Sequence, residues 1–377
     1  MKRILFAFFV LFLFCAPLRA AGPVDGKSVP VEYGFQALSP EKIDAGELLL
    51  FDGRSFFGWE VFPVKSTRSE KTPDPTVEIK NGEIRITATV PLRFRTPVLW
   101  TYRDNAPARI AFSWCKETKE TSVSAFILSD LNGKAIHTVP LREEPAGKIG
   151  EKSEKVFSAE KKHTGKIAYF EFVVDSGILV IDSIKYIPAG GLSLMNDLKA
   201  EWNDPSGEMK WEPLKKGFRL SGKGRLETRK EWGDFLLQAK FRPLSSDPKA
   251  GCNSGIFFRC IKGSALDGYE CQINNDPPEA DRSRFLGNDT GSIFRRCAAR
   301  RITDRAGDWT RISIMVNGLI FRTWVNGIPT VCWTDDRKPD PNPRKGSRTD
   351  AGSVQLQGHD PWTLIEFEEI KLISDEK

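Results

Sequence analysis

Four Asn-Gly dipeptides, Asn81-Gly82, Asn132-Gly133, Asn317-Gly318 and Asn326-Gly327, are each flanked by β-rich segments. Asn-Gly accepts the positive φ angles of a type I′ turn, whose twist matches that of paired strands, so each dipeptide predicts a hairpin. The flanks agree. Glu83-Ile84-Arg85-Ile86-Thr87 alternates polar and apolar residues, and Arg311 to Trp333 reads as a three-stranded meander with two such turns. With 24 Pro and 31 Gly in 377 residues, few windows are long enough for a helical period. The expected class is all-β, and the length suits two β-sandwich (jelly-roll) domains, each with its own core.

The first twenty residues have a different layout. Lys2 and Arg3 precede an unbroken apolar run from Ile4 to Phe14, followed by Pro17 and the small pair Ala20-Ala21. This is the pattern of a secretory signal peptide, too short to span a bilayer of about 30 Å. Residues 1–20 are therefore expected to be removed after Ala20, leaving an exported protein in the periplasm or outside the cell with no integral membrane segment. Without Lys2, Arg3 and Arg19 the net charge falls from +6 to +3, a surplus too small and too dispersed for a nucleic-acid binder. Residues 21–47 read as a lead-in, 48–188 as an accessory sandwich opening at Leu48-Leu49-Leu50-Phe51-Asp52-Gly53, and 192–377 as a second sandwich. The boundary falls at Ala189-Gly190-Gly191, just after the buried-strand pattern Gly177 to Ile184. Arg142 to Lys162, rich in Lys and Glu, reads as a solvated loop.

Chemistry-bearing residues concentrate between Trp232 and Phe367. In the strand-like run Tyr269-Glu270-Cys271-Gln272-Ile273, period-two alternation puts Glu270 and Gln272 on one face and Tyr269, Cys271 and Ile273 on the other. If Arg259 on the neighbouring strand shares the polar face, Cys260 joins the face of Cys271. A Cys260–Cys271 disulfide and two packed thiols are equally open readings. Arg, Glu and Gln on adjacent strands imply either an internal salt bridge or a polar ligand, because buried charge is costly unpaired. No Cys-x-x-Cys pair points to zinc. Trp309, Trp324, Trp333 and Trp362 are candidates to stack on sugar rings, against the commoner place of tryptophan in a sandwich core. Arg295-Arg296 and Arg300-Arg301 read as a loop edge or as partners for Asp304 and Asp308. Pro339 to Pro343 reads as a rigid loop.

Five blocks occur in order: Trp232-Gly233-Asp234-Phe235, Asn253 to Arg259, Gly268 to Ile273, Thr290 to Arg295, and Gln355-Leu356-Gln357-Gly358-His359. Together, over roughly residues 192–373, they resemble the 3-keto-disaccharide hydrolase domain family. Leu50 to Arg54 with Phe57-Gly58-Trp59 is similar to an opening turn found in many members. The resemblance implies a concanavalin A-like jelly roll with a concave sugar-binding face, and cleavage of glycosides oxidised at carbon 3. A 3-keto group acidifies the proton on carbon 2, so a base can remove it and expel the carbon 1 substituent, after which water adds back. Glu270 and His359 are the candidate bases, and Arg259 and Arg295 the candidate oxyanion stabilisers. Asn253, Gln272, Gln357 and Trp324 are candidate substrate contacts. A divalent cation such as calcium, held by Glu270, His359 or a backbone carbonyl, is a candidate cofactor, with no independent ligand spacing in the sequence. At one point the chain departs from the family. The acid that often follows the Glu-x-Gln-Ile strand is matched by Asn275, with Asp276 one place on, so that acid is not carried over. The expected partner is carbohydrate. A non-catalytic lectin of the same fold is the alternative enzyme-free reading, and an adhesive scaffold a third.

Overall fold

The computed structural model describes residues 36–63, 75–103, 106–140, 149–158, 160–247, 250–275 and 288–374. The signal-peptide expectation, most of the lead-in, Asp276 and part of the Arg142–Lys162 stretch lie outside these residues. Among the described residues the secondary structure is almost all strand, and it forms two β-sandwiches.

The first sandwich is organised by one long strand, Tyr169–Ile187. Its first part pairs with Leu92–Pro97 and Ser122–Ser129, and its last part with Glu83–Ala88 and Arg109–Lys116. The strand thus passes from one layer to the other. The bend falls where the register shifts between Val173 and Ser176, followed by Gly177 at φ +79°. A Cβ at Gly177 would stand 2.4 Å from the Cα of Thr121, so only glycine fits. The buried pattern read as starting at Gly177 therefore begins eight residues earlier. Between the layers lie Phe94, Phe112, Phe126, Phe170 and Phe172, packed mostly edge to face, with Phe126 and Phe170 stacked.

In the second sandwich, one layer holds the strands Lys210–Pro213, Phe218–Ser221, Thr363–Ile373, Phe235–Ser245, Thr310–Asn317, Ile320–Val325 and Ile328–Thr334, in that order. The other layer holds Ser206–Gly207, Gly224–Glu227, Ser353–Gly358, Cys252–Cys260 and Tyr269–Asn275. The expected meander is present. Asn326 and Gly327 both take positive φ, as a type I′ turn requires, whereas at the first turn only Gly318 does. Asn317 stays in the strand, opposite Ile320, because its side-chain nitrogen is used elsewhere. It donates to Val98 O at 2.9 Å and Ile167 O at 3.2 Å in the first sandwich.

The longer layer is apolar on both faces. Leu237, Ile314 and Phe321 point inward, while Leu236, Met315, Ile320, Trp324 and Ile373 join the core of the first sandwich. Strands covered on both sides read as near-continuous apolar runs, as Phe235-Leu236-Leu237 does. Trp324, 2% exposed, donates from its indole nitrogen to Leu49 O at 2.7 Å. This placement removes Trp324 from any substrate face and makes it a seam residue. Trp324→Ala is expected to cost about 3–5 kcal/mol, the usual loss for a buried aromatic cut to a methyl, read from a chemical denaturation midpoint. Polar clasps border the seam. Arg300 and Arg301 both pair with the buried Asp52, Arg301 at 3.0 Å. Arg322, fully buried, donates to Thr96 Oγ1 and Pro97 O, each at 2.8 Å. The end of the lead-in is also pinned, with Lys240 Nζ 3.0 Å from Asp44.

Candidate active site

On the five-stranded layer, alternate residues leave the core and face outward, and the register sorts them into rows. One row runs Glu227, Gln355, Phe257, Glu270; the next runs Arg225, Gln357, Gly255, Gln272. Tyr269, Cys271 and Ile273 face the core, as the alternation predicts. Gly255 is decisive for the geometry. A Cβ there would lie 2.8 Å from Glu270 Oε1, so the bare backbone is what lets the Glu270 carboxyl lean across into the row of the two glutamines.

Glu270 is 5% exposed, and its Oε2 lies 3.2 Å from Arg344 Nη2. Burial raises its pKa above the ordinary glutamate value; the positive groups Arg344, His359 and Arg295 pull the other way without cancelling the burial. Removing the strongest of these opponents has a definite sign. Arg344→Ala is expected to raise the Glu270 pKa further, read as an upward shift of its carboxyl-carbon NMR titration; an unmoved midpoint would remove Arg344 as its partner.

Gln272 donates to Asn253 Oδ1 at 2.8 Å and to Ser254 O at 3.2 Å. Its own amide oxygen, and that of Gln357, are buried with no hydrogen-bond partner among the described residues. An unsatisfied buried acceptor costs about 1–3 kcal/mol, so two of them beside a carboxylate mark a place that a donor-bearing ligand or water completes. Arg344 is held on three sides. Its guanidinium lies 4.9 Å from the Phe257 ring centroid, its Nε donates to Leu266 O at 3.2 Å, and its Nη2 meets Glu270. Leu266, in the left-handed region at φ +57°, is fixed by its N–H donating to Gln355 Oε1 at 2.9 Å. Gln355 in turn donates to Glu227 at 2.8 Å. Glu227 and Gln355 thus serve the loop that carries the Arg344 anchor.

The structure brings together Glu270, Gln272, Asn253 and Gln357, with Arg295 on the same cleft as Glu270, Phe294 and Arg344. Arg295 is exposed and stacks on Phe294 at 5.0 Å, with no ion pair among the described residues. His359, one residue beyond the strand, is half-exposed, with Nδ1 2.9 Å from Asp360 Oδ2. Arg259 is not brought to this face. It takes φ +49° where the register slips between Phe257 and Cys260, which turns its side chain away to Gly318 O at 2.6 Å, Arg348 O at 2.8 Å and Asp234 at 2.6 Å. Of the two open readings of Cys260 and Cys271, the pairing of their strands excludes the disulfide. Cys271 stands opposite Ile256, four residues from Cys260, and all six described cysteines are free thiols. No group of three His, Cys, Asp or Glu side chains able to hold a metal converges among the described residues.

Arg344 and Glu227 were missed in the sequence. Arg344 follows directly on the Pro339–Pro343 loop, and Gln355 sits two residues from Gln357, so alternation alone places it on the same face.

The second sandwich thus presents on its open face a carboxylate, an arginine and two amide oxygens that lack partners among the described residues. Residues 193–373 match the model of the 3-keto-alpha-glucoside-1,2-lyase-like domain family, so the resemblance read from the five blocks holds for the second sandwich. No match was found among curated proteins. Among solved structures the chain is similar to a candidate glycosyl hydrolase from Parabacteroides distasonis, at 17% identity and TM-score 0.41, covering 50% of this chain and 94% of that one. It is similar also to the carbohydrate-binding module CBM66 from Bacillus subtilis, at 12% identity and TM-score 0.34, covering 46% and 96%. A third is the β-glucanase of Bacillus licheniformis, at 13% identity and TM-score 0.33, covering 50% and 99%.

Proposed function

We propose that the protein is an exported enzyme that cleaves 3-keto-disaccharides or 3-keto-glycosides on the face around Glu270. The observation that carries this reading is the buried Glu270 carboxyl, paired with Arg344 and flanked by the two unpartnered glutamine oxygens. Glu270 removes the carbon 2 proton; the electron pair passes through the enolate, whose oxygen Arg344 and Arg295 stabilise, and expels the substituent from carbon 1. Water adds to the resulting enone and returns the 3-keto sugar, so the net change is hydrolysis. Gln272 and Gln357 accept hydrogen bonds from sugar hydroxyls. His359, at the rim and braced by Asp360, protonates the departing oxygen. The apolar run Ile4 to Phe14 supports export.

The test is turnover of 3-keto-trehalose, 3-keto-sucrose and a 3-keto aryl glucoside beside their unoxidised parents, with and without a chelator. Release from the oxidised forms alone is expected. Loss of activity with chelator would add a divalent cation to the site. Binding without release would make the protein a lectin of this fold. The His359 assignment has its own signature. His359→Ala is expected to slow the disaccharides at least tenfold while sparing an aryl glucoside whose phenolate leaves without help. Equal losses on both would remove His359 as the acid.

A further inference from the structure

We propose that the cleft between the two sandwiches is a second binding site, for a neutral polyhydroxylated ligand of monosaccharide size. The cleft measures about 390 Å³, within the size range of small-molecule sites, and neither sandwich forms it alone. Thr101 and Gly165 line it from the first, and Asp234, Arg259, Asn317 and Thr349 from the second. It shares no lining residue with the cleft at Glu270.

Its polar groups define the ligand. Arg259 is committed to the protein: Nη1 donates to Gly318 O and Arg348 O, Nε to Gly233 O at 3.3 Å, and Nη2 to Asp234. The charge of Asp234 is therefore balanced before any ligand arrives, which favours a neutral guest over an anion or a cation. Only one Asp234 oxygen is engaged, by Arg259 and by Gly318 N at 2.9 Å; the other has no partner among the described residues, and the carboxyl is 45% exposed. The Asn317 amide nitrogen is used by Val98 and Ile167, leaving its carbonyl oxygen without a hydrogen bond among the described residues. Thr101 is 1% exposed, and its hydroxyl has no hydrogen-bond partner among the described residues. Two free acceptors and one hydroxyl, with glycine backbone on both walls, suit a compact ligand rich in hydroxyl donors. None of this depends on the reaction proposed at Glu270.

The experiment is a titration of the full chain with glucose and with mannose, using gluconate and glucosamine as charged controls. Thr349 is exposed at the cleft, so Thr349→Trp fills its mouth without touching the core. The expected result is saturable binding of the neutral sugars that Glu270→Gln leaves intact, Thr349→Trp removes, and Thr101→Val weakens about tenfold. Turnover of 3-keto glycosides by Thr349→Trp is expected to match the parent. The proposal is overturned if neutral sugars do not bind, if Thr349→Trp leaves their binding unchanged, or if gluconate or glucosamine binds through the cleft as tightly as glucose. Should Thr101→Val fail to fold, Thr349→Trp decides the matter by itself.

Discussion

Glu270→Gln is expected to lower turnover of a 3-keto glycoside by about a thousandfold or more, within the range assigned to a positioned general base, while the protein stays folded. The amide keeps the size of the side chain over Gly255 and loses only the ability to take a proton. The sign of the accompanying stability change separates lost chemistry from lost structure. Burial raises the pKa of Glu270 in the folded state, so the folded protein holds that proton more tightly than the unfolded chain does. Its favourable contribution is complete below the unfolded value and disappears as pH rises through the folded one. Above that raised value the native protein carries a buried carboxylate that opposes folding, and there Glu270→Gln is expected to melt no lower than the parent. The parent's activity should rise with pH through the raised Glu270 value, giving an acid limb above the ordinary glutamate range. An inactive variant with an unchanged or raised melting temperature supports the base; retained activity removes Glu270 from that role.

The second large effect belongs to stability. Asp52→Ala is expected to cost about 3 kcal/mol, measured by chemical denaturation, because it removes the buried carboxylate that both Arg300 and Arg301 meet across the seam. Both arginine side chains are 20% exposed, so water compensates part of the loss and the figure stays at the low end for broken buried pairs. Burial by itself would raise the pKa of Asp52; the charge of Arg300, the N–H of Arg54 and the charge of Arg301 outweigh it and hold the carboxyl below the usual range. A carboxylate held low stabilises the fold above its unfolded pKa, about 3.9, and that contribution is lost as pH falls through the folded value. The native protein should therefore show an acid-side loss of stability that Asp52→Ala lacks. Parallel acid limbs in both proteins would show that the pair does not hold the seam.

Much of the strand content could be read from turns and alternation. Asn81-Gly82 and Asn326-Gly327 form the turns they predict, and the two faces of Tyr269–Ile273 sort as the period of two requires. Glu270, Gln272 and Gln357 reach the open face for the same reason. What alternation could not supply was its own interruption. One residue in the left-handed region, Arg259, turns its own side chain and that of Cys260 out of the alternation, and nothing in Phe257-Phe258-Arg259-Cys260 announces a bulge. Arg344 was hidden for a different reason: it sits on an irregular loop, where position follows from distant contacts with Leu266 and Phe257. Trp324 alternates correctly, but a strand pattern does not say whether its second face meets solvent, substrate or another sandwich.

The doubly apolar layer bears on how this chain can be taken apart. Residues 193–373 correspond to a recognisable domain, and Gly190-Gly191 is an inviting place to cut. Cutting there would bare Leu236, Met315, Ile320 and Trp324 as one contiguous oily surface and leave the guanidinium of Arg322 with neither Thr96 nor Pro97 to receive it. The boundary drawn by sequence similarity is thus not a boundary of foldability. The amino-terminal half acts as the missing wall of its neighbour, so the second sandwich is best handled with the first still attached.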